Sequence, residues 1–329
     1  MLTALVLAAT AVVPAAAAEA ADFWWRGAQN SIWTTSLPAT NFVSASLGGL
    51  TLVTLPGVSD TVRFANSAAV NLTNSLGGSV SILRLTTDAQ LNGDVSIAGG
   101  AGQTLTLGSG GIVAAAPRQL SISAIVRTTA PNYSISAPNA ISRVVISSAL
   151  TENKGLAKSG GGTLTLSGNN TFTGPTTIFG GTLRLGGSGA LPVGNDVFVQ
   201  GGVLDLSGNN ASVGDLVFGG GTGLSRAVTN TGAGSAALTV SGNISYNGDG
   251  AFADIAVPMV LTAGTHALDN PNSISSGSFY DMVIRAPVSG AGGLIMTGSH
   301  SVVLGAANNY MGSTVVEAGR LNLGFTNAL

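Results

Sequence analysis

Residues 158–191 read KSGGGTLTLSGNNTFTGPTTIFGGTLRLGGSGAL, a series of strand-sized pieces that each end in glycine. Polar and apolar residues alternate in Thr163–Leu166. Because successive side chains point to opposite faces of a strand, Leu164 and Leu166 share one face. Ser167–Asn170 predicts a turn, since Gly and Asn tolerate the left-handed backbone of tight corners. Two more strands of this kind are predicted, at Thr176–Phe179 and Thr182–Leu185.

The pattern Gly-Gly-x-Leu-x-Leu occurs three times, beginning at Gly161, Gly180 and Gly201. The steps are 19 residues, from 161 to 180, and 21 residues, from 180 to 201. Short strands with glycine corners at a period near twenty predict a solenoid whose coils stack in parallel. Stacking places Leu164, Leu183 and Leu204 in one internal column, where burying each leucine is worth about 1.5–3 kcal/mol. The alternative is an antiparallel sandwich with Gly-rich turns.

A longer repeat aligns residues 158–191 with residues 296–329 at a constant offset of 138, without a gap. The shared positions are corner glycines, inward aliphatic residues, one asparagine and one aromatic residue. They include the pairs Leu164 and Val302, Asn170 and Asn308, Phe172 and Tyr310, Gly181 and Gly319, and Leu183 and Leu321. These residue types are requirements of folding rather than of chemistry.

The run K-x-G-x-G-T-L-x-L-S-G-x-N-T-F-x-G-x-T-T-I-x-x-G-T-L-x-L-G, which begins at Lys158, resembles the autotransporter-associated β-strand repeat of large secreted and surface-exposed bacterial proteins. The second copy departs from this pattern at Met296, Asn309 and Arg320, which replace a basic residue and two threonines. The two copies cover about a fifth of the chain. The resemblance implies an all-β, right-handed parallel β-helix that serves as a passenger or stalk. It implies no activity, because the family has no shared catalytic residues.

Composition agrees with an all-β chain. The 329 residues include 48 Gly and no Cys, and only 8% are charged. Lys, Glu and Gln are scarce while Thr, Ser, Val and Gly dominate, which favours strands over helices. Without cysteine there is no disulfide framework and no thiolate metal site. The net charge of −2 gives no reason to expect nucleic acid as a partner.

The N-terminal segment Leu2–Ala18 is apolar and Ala-rich, and Pro14 interrupts it. It is too short and too interrupted for a membrane span and is typical of the apolar region of a signal peptide, although no Lys or Arg precedes it. Ala18-Glu19-Ala20 fits the small-residue cleavage pattern. We therefore expect residues 1–20 to be a signal peptide and residues 21–329 to be one continuous solenoid of roughly a dozen coils.

All three tryptophans of the chain, Trp24, Trp25 and Trp33, lie close together near its start. One interpretation is an N-terminal cap over residues 21–35, because the first coil of a solenoid has no neighbour below it and bulky aromatic side chains can close that end. The other interpretation is an aromatic platform that contacts a glycan by stacking on sugar rings. The cap is the preferred interpretation.

Residues 34–150 carry weaker versions of the alternation, so we expect the solenoid to continue through them without a linker. The predicted strands are Thr61–Phe64, Ser79–Leu85, Asp94–Ile97, Gln103–Leu107, Ser121–Val126, Tyr133–Ile135 and Val144–Ile146. Corners are predicted at Gly48-Gly49, Gly77-Gly78, Gly99-Gly100 and Gly108–Gly111.

Residues 207–288 contain the longest irregular stretch, with acidic residues, Asn and Pro in Asp249–Asp254 and Leu268–Asp281. Insertions in a solenoid emerge as loops on one side, and binding tends to use such loops. A specific contact is predicted here if the chain has one. The alternative is a variable excursion without function.

Catalytic patterns are weak throughout. A glycosidase needs two carboxylates about 5–10 Å apart, and the best available pair is Asp205 with Asp215, one short coil later. Asp205 alternates with inward leucines, so we expect it to face solvent. His266 is expected in a loop and His300 beside a strand start, and neither has a partner at metal-ligand spacing. No phosphate-loop motif occurs. We therefore expect no enzyme, no catalytic residue, no metal and no cofactor.

The sequence thus predicts a non-catalytic, secreted or cell-surface bacterial β-solenoid that acts as a passenger, stalk or adhesin-like scaffold. A surface glycan or a component of a host or neighbouring cell is its expected partner. The alternative is a carbohydrate-binding module or a polysaccharide lyase-like β-helix. Leu329 corresponds to Leu191, after which the first copy continues, so we expect a C-terminally truncated fragment whose membrane attachment lies in the missing part.

Overall fold

The computed structural model describes residues 22–25, 32–33, 42–44, 55–65, 72–220, 226–247, 252–269, 281–299 and 301–324. Regular structure in these ranges consists of strands, with no helix. The strands are β1 (Asp22–Trp25), β2 (Phe42–Ser44), β3 (Thr61–Phe64), β4 (Thr73–Ser75), β5 (Val80–Thr87), β6 (Val95–Ala98), β7 (Thr104–Ala114), β8 (Gln119–Ile122), β9 (Ile125–Thr128), β10 (Asn132–Ser136), β11 (Arg143–Ile146), β12 (Gly155–Ser159), β13 (Thr163–Leu166), β14 (Thr176–Ile178), β15 (Thr182–Leu185), β16 (Asn195–Val199), β17 (Gly202–Asp205), β18 (Ala211–Phe218), β19 (Arg226–Thr229), β20 (Leu238–Val240), β21 (Ile244–Tyr246), β22 (Ala253–Ile255), β23 (Met259–Leu261), β24 (Thr265–Asp269), β25 (Met282–Ile284), β26 (Val288–Gly290), β27 (Gly293–Met296), β28 (Ser301–Leu304), β29 (Thr314–Val316) and β30 (Arg320–Leu323).

Two sheets run along the molecule, and the chain passes from one to the other in each coil. The smaller sheet has twelve strands in the order β4, β6, β8, β11, β13, β15, β17, β19, β22, β25, β28 and β30. The larger sheet contains the remaining eighteen described strands. Every ladder between described strands is parallel except that between β1 and β2. This topology is a parallel β-solenoid and excludes the antiparallel sandwich.

The predicted leucine column is confirmed. Leu164 on β13 pairs with Leu183 on β15, which pairs with Leu204 on β17. All three side chains are 0% exposed. The alternating positions Thr163 and Thr182 lie outside the sheet and are half-buried. The solenoid core is therefore built from stacked aliphatic rows, one row for each inward strand position.

The coil length varies more than the sequence predicted. The step in the smaller sheet is 19 residues from Thr163 to Thr182, but 29 residues from Ala253 to Met282. In the longer coils the additional residues form extra strands. Thus β18 pairs with β20 through its first half and with β21 through its second half. A period near twenty holds for the coils with two strands, and a third strand lengthens the others.

Two strand predictions in the N-terminal half are wrong in detail. The expected corner at Gly108–Gly111 lies inside β7, where the register with β5 shifts between Ile82 and Arg84, so these glycines form a bulge. The single strand predicted at Ser121–Val126 is divided into β8 and β9, which belong to different sheets. The predicted corner at Gly48-Gly49 lies outside the described residues.

Candidate functional site

The aromatic cluster at the N-terminal end packs below the first parallel coil. Trp25 and Trp33 are both 2% exposed. Their rings lie against Phe42, with centroid distances of 5.0 Å and 5.8 Å in edge-to-face geometry. Trp33 Nε1 also donates a hydrogen bond to Asn74 Oδ1 at 2.6 Å. Neither indole leaves a ring face open to a sugar, so stacking at these two positions would require the cluster to open.

Backbone pairing accompanies this cluster on both sheets. On the larger sheet, β2 pairs antiparallel with β1, so that Trp25 lies opposite Phe42. On the smaller sheet, Ile32 forms a parallel bridge with Ser75, and Trp33 N–H donates to Ser75 O at 2.8 Å. Unpaired strand edges attract other strands, and these contacts occupy both edges at this end.

Trp24 differs from the other two tryptophans because it is half-buried on the outer side of β1. The Arg63 guanidinium lies 5.6 Å from the ring centroid, which is cation–π distance. Arg63 also forms ion pairs with Asp22 at 2.9 Å and with Asp88 at 3.3 Å. An indole beside a guanidinium and two carboxylates is a combination that could contact a sugar. The predicted glycan contact therefore stays a prediction, centred on Trp24.

Asp205 does not face solvent as predicted. Its side chain is 1% exposed because the segment around Thr231 covers the outer side of β17. The carboxylate accepts hydrogen bonds from Ser207 N at 3.0 Å, Thr231 N at 2.9 Å, Thr231 Oγ1 at 2.5 Å and Arg184 Nε at 2.9 Å. Burial alone would raise the pKa of Asp205, but the bonds from Thr231, Arg184 and Ser207 outweigh burial and lower it. A carboxylate held in its charged form by four donors joins coils together.

The predicted partner of Asp205 lies on a different sheet. Asp215 belongs to β18 of the larger sheet, whereas Asp205 belongs to β17 of the smaller one. Asp215 N–H donates to Asp196 Oδ1 at 2.9 Å, and Asp215 Oδ1 accepts from Asn243 N–H at 2.7 Å. Asn243 Oδ1 in turn accepts from Ala267 N–H at 2.9 Å. These side chains form a ladder along one corner of four successive coils, so the hypothesis of a carboxylate pair was wrong.

His266 lies on β24 and not in the loop that the sequence predicted. It is 3% exposed, with Nδ1 2.6 Å from Gly242 O and Nε2 3.0 Å from Thr262 O. Both ring nitrogens are engaged by backbone carbonyls and are not available to a metal or substrate. His300 lies outside the described residues. Among the residues that the structure does describe, no three His, Cys, Asp or Glu side chains are grouped as metal ligands.

The two predicted loops lie partly outside the described residues, which omit 248–251 and 270–280. The strands on either side of these gaps are β21 and β22, and β24 and β25. Next to them, Asp254 forms an ion pair with Arg285 at 2.7 Å, and Asp281 Oδ2 accepts from Ser301 N–H at 2.9 Å. These acidic side chains also bind groups on neighbouring coils.

Comparison with known proteins identifies the repeat itself. The family model of the passenger-associated-transport-repeat matches residues 156–185 and 289–323. The chain carries two passenger-associated transport repeats. These repeats fit an autotransporter passenger scaffold and imply a bacterial secreted or surface protein. No curated protein and no solved structure matches the chain. The described residues offer no helix of the length and apolarity that crossing a membrane requires.

The passenger-associated transport repeats share an asparagine that links coils. In the first repeat, Asn170 Oδ1 accepts from Leu150 N–H at 2.8 Å and Asn170 Nδ2 donates to Ala190 O at 2.6 Å. In the second repeat, Asn308 Oδ1 accepts from Val288 N–H at 2.7 Å. Each amide thus satisfies a backbone group twenty residues earlier. The offset of 138 had paired these asparagines, but the sequence alone did not show that they join neighbouring coils.

The basic residue that opens the first repeat is also internal. Lys158 alternates with Leu156 on β12, and both side chains point into the solenoid, where they are 0% and 1% exposed. Met296 holds the equivalent position on β27 and is 1% exposed. The period of two therefore predicts that Lys158 is internal, a consequence that the sequence reasoning missed because a lysine is rarely buried.

Proposed function

We propose that the protein is an exported, non-catalytic scaffold of the bacterial surface that acts as a passenger, stalk or adhesin-like rod. The observation that carries this proposal is that both passenger-associated transport repeats lie in register within the same pair of parallel sheets. Stacked coils of this kind form a stiff, slender body, because each coil contacts its neighbours along two or three strands.

The polar groups of the solenoid support a mechanical role. The side chains that the sequence singled out for chemistry, Asp205, Asp215 and His266, are bound to backbone groups of other coils or corners. Asn170 and Asn308 serve in the same way. A group that already has its hydrogen-bond partners stabilises the stack and has little capacity left to bind or activate a substrate.

Export through residues 1–20 belongs to the proposal and has a direct test. The chain would be expressed from Met1 in a bacterium beside a variant that lacks residues 2–20, and cell fractions would be compared. We expect the first form outside the cytoplasm with Ala21 as its N-terminus, and the second form inside. An intact Met1 N-terminus in the cytoplasm for both forms would contradict export.

A surface glycan is the proposed partner, and Trp24 is the proposed contact. The half-buried indole, Arg63, Asp22 and Asp88 together offer a stacking surface and polar groups for sugar hydroxyls. Trp24→Ala is expected to abolish binding on a glycan array, while Phe179→Ala, at an exposed side chain on a distant corner, retains it. Equal binding by both variants would remove Trp24 from the site. Turnover of pectin or alginate would favour the lyase instead.

A further inference from the structure

The ammonium of Lys158 sits in a cage of backbone oxygens at one corner of the first repeat. Lys158 Nζ donates to Ser159 O at 2.8 Å, to Gly160 O at 2.8 Å and to Gly180 O at 3.0 Å. An ammonium has three N–H donors and no acceptor, so these bonds use its full capacity. Gly180 lies one coil further along the solenoid than Lys158, and the ammonium therefore bridges two coils.

Glycines shape this cage. Gly160 has φ of +75°, and a Cβ added there would lie 2.4 Å from Ala137 O. Gly181 has φ of +66°, and a Cβ there would lie 2.4 Å from Gly160 O. Left-handed backbone and contact this close both require glycine. The tight corners bring their carbonyl oxygens toward the interior, where water cannot reach them.

Two of the three oxygens depend on the ammonium. Ser159 O also accepts from Ala137 N–H at 3.0 Å. For Gly160 O and Gly180 O, Lys158 Nζ is the hydrogen-bond donor, and no backbone N–H of the described residues bonds to either. Without this ammonium both carbonyls would be buried and unpaired, which is costly in a protein interior.

The charge of Lys158 has no carboxylate partner within this cage. Burial lowers the pKa of Lys158 to about 8 from its ordinary value of 10.5. Since no acidic side chain bonds to Nζ, carbonyl dipoles alone stabilise the cation. A buried charge held by oxygen dipoles has the donor set of a small cation site.

We propose that these three carbonyls form a built-in site for a primary ammonium ion, that Lys158 is its tethered occupant, and that the occupied site clamps the coil of β12 to the coil of β14. The clamp is a property of the interior and is independent of export. If the side chain is shortened, the cage remains and accepts a free alkylammonium ion of matching size.

A second corner uses the same arrangement. Arg226 is 1% exposed, and its guanidinium donates to Gly219 O and Gly220 O, the latter at 2.7 Å from Nη2. Both carbonyls belong to the corner between β18 and β19, and Gly220 has φ of +93°. Buried cations thus satisfy inward carbonyls at two glycine corners. In the second repeat Met296 supplies no donor, so the clamp is specific to the first repeat.

The test is chemical rescue of Lys158→Ala by n-propylammonium, which restores the three carbons and the ammonium that the substitution removes. The readout is hydrogen exchange of the Phe179 amide, which donates to Lys158 O at 2.8 Å. We expect Lys158→Ala to lose protection there by about 10–100-fold, since hydrogen bonds to charged groups are the stronger class. n-Propylammonium should restore protection in a saturable way, as expected for a bound ligand.

Three controls separate the cage from general packing. n-Propanol at the same concentration has the shape but not the charge, and should not restore protection. Lys158→Met fills the space without a donor, as Met296 does naturally, and should lose protection that n-propylammonium does not restore. The Leu238 amide, which bonds to Pro258 O at 2.9 Å in a distant coil, should not change.

Two results would overturn the proposal. One is a Lys158→Ala protein that n-propylammonium fails to protect, and the other is a Lys158→Met protein with the protection of the wild type. If Lys158→Ala does not fold without the ion, refolding with n-propylammonium but not with n-propanol supports the site. Refolding with neither, or equally with both, contradicts it.

Discussion

Leu183→Ala is expected to lower the unfolding free energy of its coils by about 2–5 kcal/mol, the range for buried leucine truncations. The side chain is 0% exposed and lies between Leu164 and Leu204 in the stacked column. Each neighbour is held on its own strand, so the surroundings cannot collapse fully into the cavity. The measurement is urea denaturation followed by far-UV circular dichroism.

The matched control is Thr182→Ala on the same strand. Thr182 precedes Leu183 and points outward, half-buried, so its truncation is expected to cost about 0.5 kcal/mol or less. The difference between the two variants isolates burial from strand propensity. A cost below about 0.5 kcal/mol for Leu183→Ala would mean that this leucine is not internal.

Trp25→Ala is expected to cost about 3–5 kcal/mol, as for other buried aromatic truncations. The ring contacts Phe42 at 5.0 Å, Phe64 at 5.8 Å and Trp33 at 6.1 Å between centroids. Its removal would open the cluster that packs below the first parallel coil. Hydrogen exchange should therefore rise in β3 and β5 and remain unchanged in β28, because coils contact only their neighbours.

Trp24→Ala is the control for the cap interpretation. Trp24 is half-buried on the outer side of the same strand, so the loss of stability should be much smaller than for Trp25→Ala. Equal losses at Trp24 and Trp25 would show that the inner cluster has no special role. Unchanged exchange in β3 after Trp25→Ala would contradict a cap at this end.

The local structure of the repeats could be predicted almost to the residue. The strands expected at Thr163–Leu166 and Thr182–Leu185 are β13 and β15 with the same bounds. Alternation and glycine corners are local signals, and identical neighbours stack on each other, so no long-range information was needed. The leucine column followed for the same reason.

The failures have a common physical cause, which is that they depend on neighbouring coils. Whether Asp205 is buried depends on Thr231, which lies 26 residues later and covers it. Whether Gly108–Gly111 forms a corner or a bulge depends on its register with β5. The inward direction of Lys158 could be read from its alternation with Leu156, but its three oxygens could not, because Gly180 is brought to it by the next coil.

The most direct test of the solenoid is the distance along its axis. The outward positions Thr163, Val283 and Asn322 lie in one column, five and seven strand steps apart from the first. The chain has no cysteine, so pairs of introduced cysteines can carry spin labels for electron–electron resonance. At about 4.8 Å for each step, we predict backbone separations of about 24 Å for 163 with 283 and about 34 Å for 163 with 322. Separations that do not grow in this proportion would contradict a continuous stack of parallel coils.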